Sequence, residues 1–520
     1  MATLPWLLSG AQAEPPPQMM DAGPLTPLMT ITLGADPSPP QALSGQGPQA
    51  SSLPARGGIW VSPLGTPAGR DGVGLLPPAT TGLPPTLWQF SATDDLLALI
   101  EQQDITDLPA LQGLIYALLL AEAHPPLDSH QDRLLLARID KLIDLGALEQ
   151  AYALIERAGA ATRGLYDRWL DVALLMGQET RPCEALAVQP ALSANYSARI
   201  FCAAHTGDWE GAVWMLGVAR TLGFVNAQQE ALLLRYLDYD LFDSSPARLA
   251  GAEVTALSFR LHEAAGTPLA TALLPLPFAH TDLRRTVGWK MQLEAAEKLA
   301  RTGALSGNRL LGVYTARRPA ASGMVWERVA AIQALDEALD AQGSTQVPTG
   351  GTTGGNAGGN AAVARALPAA WRAMQQARLE VPFADIYGPR LMAMDLPIPA
   401  RDVARKLALL SNAYEQAARQ GPPDFLAMLA LGTPPPHPPD RTARAIADAF
   451  HGAGVPQFIS MHLARGQLGE AILRTLLLLR EGIEGNLPAL TDSLAALKAM
   501  GLEQTARRLS LQILIIGRHV

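Results

Sequence analysis

Long apolar runs, lysine, cysteine and aromatic side chains are all scarce in this chain of 520 residues. No stretch reaches the ~20 consecutive apolar residues that a membrane-spanning helix needs. Residues 509–517 are apolar but too short for a span, and are expected to close the last helical pair. Aromatics make up 5% of the chain and alternating Val/Ile/Thr runs are hard to find, which argues against strand-rich folds. Lysine occurs only at Lys141, Lys290, Lys298, Lys406 and Lys498; with abundant Ala, Gly and Pro, this arginine bias points to a GC-rich bacterial genome. The formal net charge of −8 leaves no bulk basic field for non-specific nucleic-acid binding.

Signatures of chemistry are missing too. The nine histidines are dispersed, with no His-Glu-x-x-His or other zinc spacing. There is no Gly-x-Ser-x-Gly elbow, no Ser-x-x-Lys and no nucleotide fingerprint after a strand. The glycine-rich stretch 343–360 lacks the Gly-Lys-Ser/Thr ending of a phosphate loop. The Glu-Ser motif of lytic transglycosylases, found on some α-superhelical envelope enzymes, does not occur. The expectation is a protein without catalytic activity, cofactor or metal. Smaller groups receive structural readings. His205 and His462 are expected to be packing or capping histidines, and Arg284-Arg285 and Arg317-Arg318 to be solvated or paired. Asp238, Asp240 and Asp243 read as a solvated turn, since an EF-hand's loop glycine and bidentate Glu are absent. Trp209, Trp214 and Trp371 fall on helical apolar faces and are expected in the core.

What the chain does contain is a recurring phrase: a glycine, an apolar residue one or two positions on, and an alanine five on. It occurs at Gly146 and Ala151, Gly207 and Ala212, Gly466 and Ala471, and Gly501 and Ala506. Each copy lies between two apolar stretches of helical period. Glycine can end one helix in the left-handed region, and alanine lets the next helix pack closely against it. Asp208, next to Gly207, is placed to cap the second helix. Ser91 with Asp94 reads as a capping box for the run that begins at Leu96. The expected fold is all-α, a superhelix of antiparallel helical hairpins.

Composition divides the chain into five parts. Residues 1–13 read as a truncated signal peptide: Ala11-Gln12-Ala13 has the small-x-small pattern cleaved by a signal peptidase, although a basic start is missing. Residues 14–86 are rich in Pro, Gly and Ser and are expected to be disordered, with a short apolar piece at 58–61. Residues 87–342 form a helical block, 343–361 a glycine-rich linker and 362–520 a second helical block. Cys183 and Cys202 are the only cysteines. In an oxidising envelope they are expected to tie two neighbouring helices, and in a reducing compartment to act as two small apolar residues.

Gly466 and Gly501 are 35 residues apart. That spacing, with Gly207, Ala212 and Ala219 and with Gly146, Ala151 and Ala158, resembles the second-helix half of tetratricopeptide-type repeats. The first-helix residues are out of register and no proline closes each unit. The resemblance implies a binding scaffold that holds a peptide or another domain on a concave surface. The functional expectation is a periplasmic scaffold or adaptor of a Gram-negative bacterium that binds another protein. The alternatives are a cytoplasmic regulatory adaptor and an enzyme with an α-helical active site that no motif reveals.

Overall fold

The computed structural model describes residues 69–104, 108–237, 254–343 and 355–517. Among these the regular elements are all helical, with one isolated parallel bridge from Leu76 to Ala121. No described helix is long and apolar enough to cross a membrane.

Order begins before the first expected helix. A 3-10 turn (Arg70–Gly72) and α1 (Pro78–Thr81) lead into α2 (Thr93–Glu101) and α3 (Pro109–Leu120). Residues 70–86, read from sequence as disordered, are held by a side chain far along the chain. Arg138, in α4 (Arg133–Asp144), is fully buried. It donates to the carbonyls of Asp71 (3.1 Å), Val73 (2.9 Å), Leu119 (2.7 Å) and Ala121 (2.8 Å). A guanidinium has five N–H donors to place, and this irregular backbone supplies acceptors. Gly74 permits the approach, since a Cβ there would lie 2.4 Å from the Ala121 carbonyl oxygen. The start of α2 also differs from expectation. Ser91 is buried, and its hydroxyl has no partner among the described residues. Asp128 takes the capping role instead, accepting from the Thr93 amide (3.1 Å) and hydroxyl (2.7 Å). The Thr93 hydroxyl holds the Asp128 carboxyl below its usual range.

Six helices follow: α5 (Leu148–Ala158), α6 (Arg163–Met176), α7 (Thr180–Val188), α8 (Tyr196–His205), α9 (Trp209–Thr221) and α10 (Ala227–Leu237). At the recurring phrase, Gly146, Gly207, Gly466 and Gly501 have φ of 74°, 96°, 76° and 79°. Ala151, Ala212, Ala471 and Ala506 have no exposed surface. A left-handed residue after the last helical turn lets the freed carbonyls be satisfied and reverses the chain.

The middle of the chain builds a core of its own. Helix α11 (Ala256–Ala264) still packs in the first core through Leu257, Phe259 and Leu261, and the separate core is built by α12 (Ala279–Asp282), α13 (Trp289–Arg301), α14 (Gly307–Thr315), α15 (Val325–Gly343), α16 (Gly355–Ala377), α17 (Glu380–Met392) and α18 (Ala400–Leu410). The glycine-rich stretch was expected to separate two blocks. Its residues 344–354 lie outside the described part, but apolar packing runs across it. Val329, Ile332 and Leu335 of α15 share a core with Val363, Leu367 and Ala370 of α16. Residues 355–361, read as linker, are the first turns of α16.

The last helices are α19 (Tyr414–Gln420), α20 (Phe425–Ala430), α21 (Arg441–Phe450), α22 (Gln457–Ala464), α23 (Leu468–Ile483), α24 (Leu487–Ala499) and α25 (Glu503–Ile516). They return to the first core, where Leu96 and Leu111 join Leu473, Leu476 and Leu509. The Gly469 amide donates to Leu87 O (3.0 Å), the Ala110 amide to Gln512 Oε1 (3.0 Å), and Arg480 pairs with Asp104 (2.5 Å). An open stack of repeats, in which each unit touches only its neighbours, does not make such contacts.

Candidate functional site

The hairpin of α8 and α9 departs most from ordinary burial. Helix α8 buries Ile200, Phe201 and Cys202. A disulfide joins Cys202, in the last turn of α8, to Cys183 of α7, with a Cα–Cα distance of 4.7 Å, so the hairpin is covalently tied close to its turn. Gly207 turns the chain, and the Asp208 carboxylate accepts from the Gly211 amide (3.0 Å) to start α9.

Ala212, Leu216 and Ala219 form the buried stripe of α9. Two of these three residues are alanines, so α9 lies close on its neighbours and contributes little bulk to the core. Its large apolar side chains are left outside. Trp214 is 71% exposed and Trp209 46%, and Val213, Leu222 and Phe224 are also exposed. Single exposed apolar residues need no explanation, but several on one helix and its C-terminal turn form the kind of exposed apolar patch that calls for one.

Aromatic contacts stiffen the borders. Trp209 packs on Tyr236 of α10 (5.9 Å between ring centroids), and Tyr236 packs on buried Phe201 (5.3 Å). At the other border Phe224 stacks on Tyr196 at 4.5 Å, with ring planes 11° apart, and the Arg199 guanidinium lies 4.9 Å over the Tyr196 ring. Burial, followed by the nearby Glu179 carboxylate, pushes the Tyr236 hydroxyl above its ordinary range, so it stays protonated. Rings held on both sides form a preorganised apolar surface, suited to another apolar surface rather than to bond-making chemistry.

The chain matches no family model, no curated protein and no solved structure.

The other residues singled out by sequence are scattered. Trp371 is buried as expected, whereas Trp209 and Trp214 are not. Trp214 is out of phase with the inward stripe, whereas Trp209, three residues before Ala212 and seven before Leu216, is in phase with it but stands at the first position of α9, where it packs on Tyr236 and stays partly exposed. A signal was present, because a helix apolar on both faces is either enclosed or covered by something else. His205 is exposed, stacks on Phe201 and has Nε2 3.3 Å from the Thr180 hydroxyl. His462 has Nδ1 2.9 Å from Gln467 Oε1 and 3.4 Å from Glu470. Arg284 pairs with Glu263 (2.7 Å) and Arg318 with Glu337 (2.5 Å), while Arg285 and Arg317 are exposed. Asp238, Asp240 and Asp243 lie outside the described residues, as do 1–13 and 58–61. Among the described residues no three His, Cys, Asp or Glu side chains are placed to hold a metal ion.

Proposed function

We propose that this protein is a non-catalytic scaffold that holds another protein chain on its helical surface, in the periplasm of a Gram-negative bacterium. The observation that carries the reading is the exposed aromatic face of α9, mounted on helices that a disulfide ties together. An apolar face of this kind is costly in water and gains by being covered. The disulfide supports an oxidising compartment. The glycine turns and buried alanines support a stack of antiparallel hairpins of the tetratricopeptide kind, here with its first helices packed on its last.

A photo-crosslinking residue placed at position 214 in the native host tests the reading. Adducts to a protein chain are expected there and not at Leu273, an isolated exposed leucine. No adduct at 214 overturns it. Intact mass of the non-reduced native protein tests the compartment. A chain that begins at Glu14 and lacks the two thiol hydrogens supports export. A full-length chain with free thiols points to the cytoplasmic adaptor.

A further inference from the structure

The two apolar cores meet at the turn between α4 and α5. Leu142, Leu145, Ala147 and Leu148, on either side of Gly146, belong to the first core. Leu276 and Leu299, which cover Gly146, belong to the second. The carbonyls of this turn are taken by side chains from elsewhere. The Tyr116 hydroxyl of α3 is shared between the Leu145 carbonyl (3.3 Å) and the Thr302 carbonyl just after α13 (3.1 Å). His280 of α12 reaches the Gly146 carbonyl with Nε2 at 2.7 Å, and Arg309 of α14 pairs with Glu149 of α5. Contacts from α12, α13 and α14 thus converge on one turn of the first core.

Of the side chains at this joint, His280 is the one whose ordinary pKa lies near neutrality. It is 6% exposed. A carbonyl only accepts, so Nε2 carries the hydrogen, and the Nδ1 lone pair is where an added proton goes. That proton would set a cation into a buried contact between two apolar cores, which is costly. The charged groups that face the imidazole from the elements packed around it are Glu149 and Arg309. They act in opposite directions and are paired with each other. Burial is the largest effect, and it keeps the imidazole neutral in the folded chain.

We infer that this joint is an acid-sensitive switch: a proton on His280 Nδ1 loosens α12 from the α4–α5 turn and uncouples the second core from the first at that point, with the helices of both left folded.

Opening the joint puts the imidazole in water, where its ordinary pKa of about 6.5 returns. Below that pH the open form takes a proton more readily than the closed one. The opening equilibrium should therefore rise by up to about tenfold per pH unit, until the pH reaches the lower value of the closed joint. Above about pH 6.5 the joint should stay closed and indifferent to pH.

Hydrogen exchange of the oxidised full chain tests this, read peptide by peptide and corrected for the intrinsic pH dependence of exchange. Peptides spanning 142–149 and 276–283 should lose protection as the pH falls from about 7.5 to about 5, while α23 keeps its own. His280→Gln keeps a donor for the Gly146 carbonyl but does not titrate, and it should abolish the acid response. Two variants at the rim decide the matter even where that one folds poorly. Glu149→Gln and Arg309→Gln break the same ion pair, so a purely structural role would give them one phenotype. A titrating His280 makes them diverge. Loss of Arg309 removes a charge that holds the imidazole neutral, and the acid response should shrink. Loss of Glu149 removes a charge that favours the imidazolium, and the response should extend to lower pH. Protection at 142–149 that does not change with pH overturns the switch. So does an acid response that persists in His280→Gln, one that α23 shares, or identical responses in the two rim variants.

Discussion

Helices α9 and α23 begin alike and end up in opposite surroundings. Each follows a glycine at positive φ, and each has a fully buried alanine five residues after it, Ala212 in one and Ala471 in the other. Helix α23 then buries Ile472, Leu473, Leu476 and Leu479, packed against α2, α22 and α24. Helix α9 packs on α8 and α10 and leaves two tryptophans in solvent. The turn phrase specifies a reversal and one close contact. How many faces of the second helix are covered depends on segments hundreds of residues away, as the contacts of α2 with α23 show. Where no such cover exists, a helix that is apolar on more than one side keeps part of its apolar surface in solvent.

The comparison is broken most directly by truncating one large apolar side chain on each helix. Leu476→Ala should cost about 3 kcal/mol, through lost burial and a cavity. Trp214→Ala should change the stability of the chain by less than about 0.5 kcal/mol. Urea unfolding reads both, and equal losses would show that Trp214 belongs to the core. Replacing both Cys183 and Cys202 by serine should cost about 3 kcal/mol for a sequence separation of 19 in the chain-entropy model. Hydrogen exchange should then speed up in α8 and α9 and stay unchanged in α23. Faster exchange throughout would mean that the hairpin is not a separable unit.

A glycine pair sharpens the contrast at smaller magnitude. A Cβ on Gly469 of α23 would lie 2.5 Å from the Trp88 ring and 2.7 Å from Leu87 O. Gly469→Ala should therefore destabilise by about 2 kcal/mol through overpacking. Gly217→Ala on α9 meets open space and should stabilise the chain by about 1 kcal/mol. Thermal melts of the two variants should move in opposite directions. A shared direction would mean that the two helices do not differ in cover.

Local chemistry is the part of this fold that a sequence can carry. Positive φ at Gly207, the Asp208 cap and a small residue at Ala212 all act within a few positions of one another. Contacts that cross the chain are not written that way. Nothing near Pro78 announces that Arg138 will hold residues 71–73, and nothing near Thr93 announces Asp128. Gln512 meeting the start of α3 is likewise invisible until the last helices return. The candidate site was half legible. Its residues are apparent as an apolar helix, but their outward phase follows from the short side chains of Ala212 and Ala219. Only the surrounding packing makes those two, rather than Trp214, the inward side.

The smallest expected effect concerns the turns themselves. The turn at Gly207 is open, with nothing within 4 Å of a Cβ built there. The turn at Gly146 is covered: a Cβ there would lie 2.8 Å from Leu276 Cγ, and buried His280 donates from Nε2 to the Gly146 carbonyl at 2.7 Å. Burial lowers the His280 pKa and outweighs the opposing hydrogen bond to Gly146, so the folded chain holds a neutral imidazole. An unfolded histidine takes a proton below its ordinary pKa of about 6.5. Between that pH and the lower folded value, the unfolded chain binds more protons than the folded one. Stability should therefore be intact above about pH 6.5 and fall as the pH drops below it. His262, whose pKa burial and Arg235 also lower, adds to the same slope. Unfolding free energies at several pH values, for the wild type and for His280→Gln, isolate the covered turn, since glutamine keeps a donor for the Gly146 carbonyl but does not titrate. The variant should show a shallower acid slope. An identical slope would mean that the Gly146 turn is no more sensitive to acid than the open turn at Gly207.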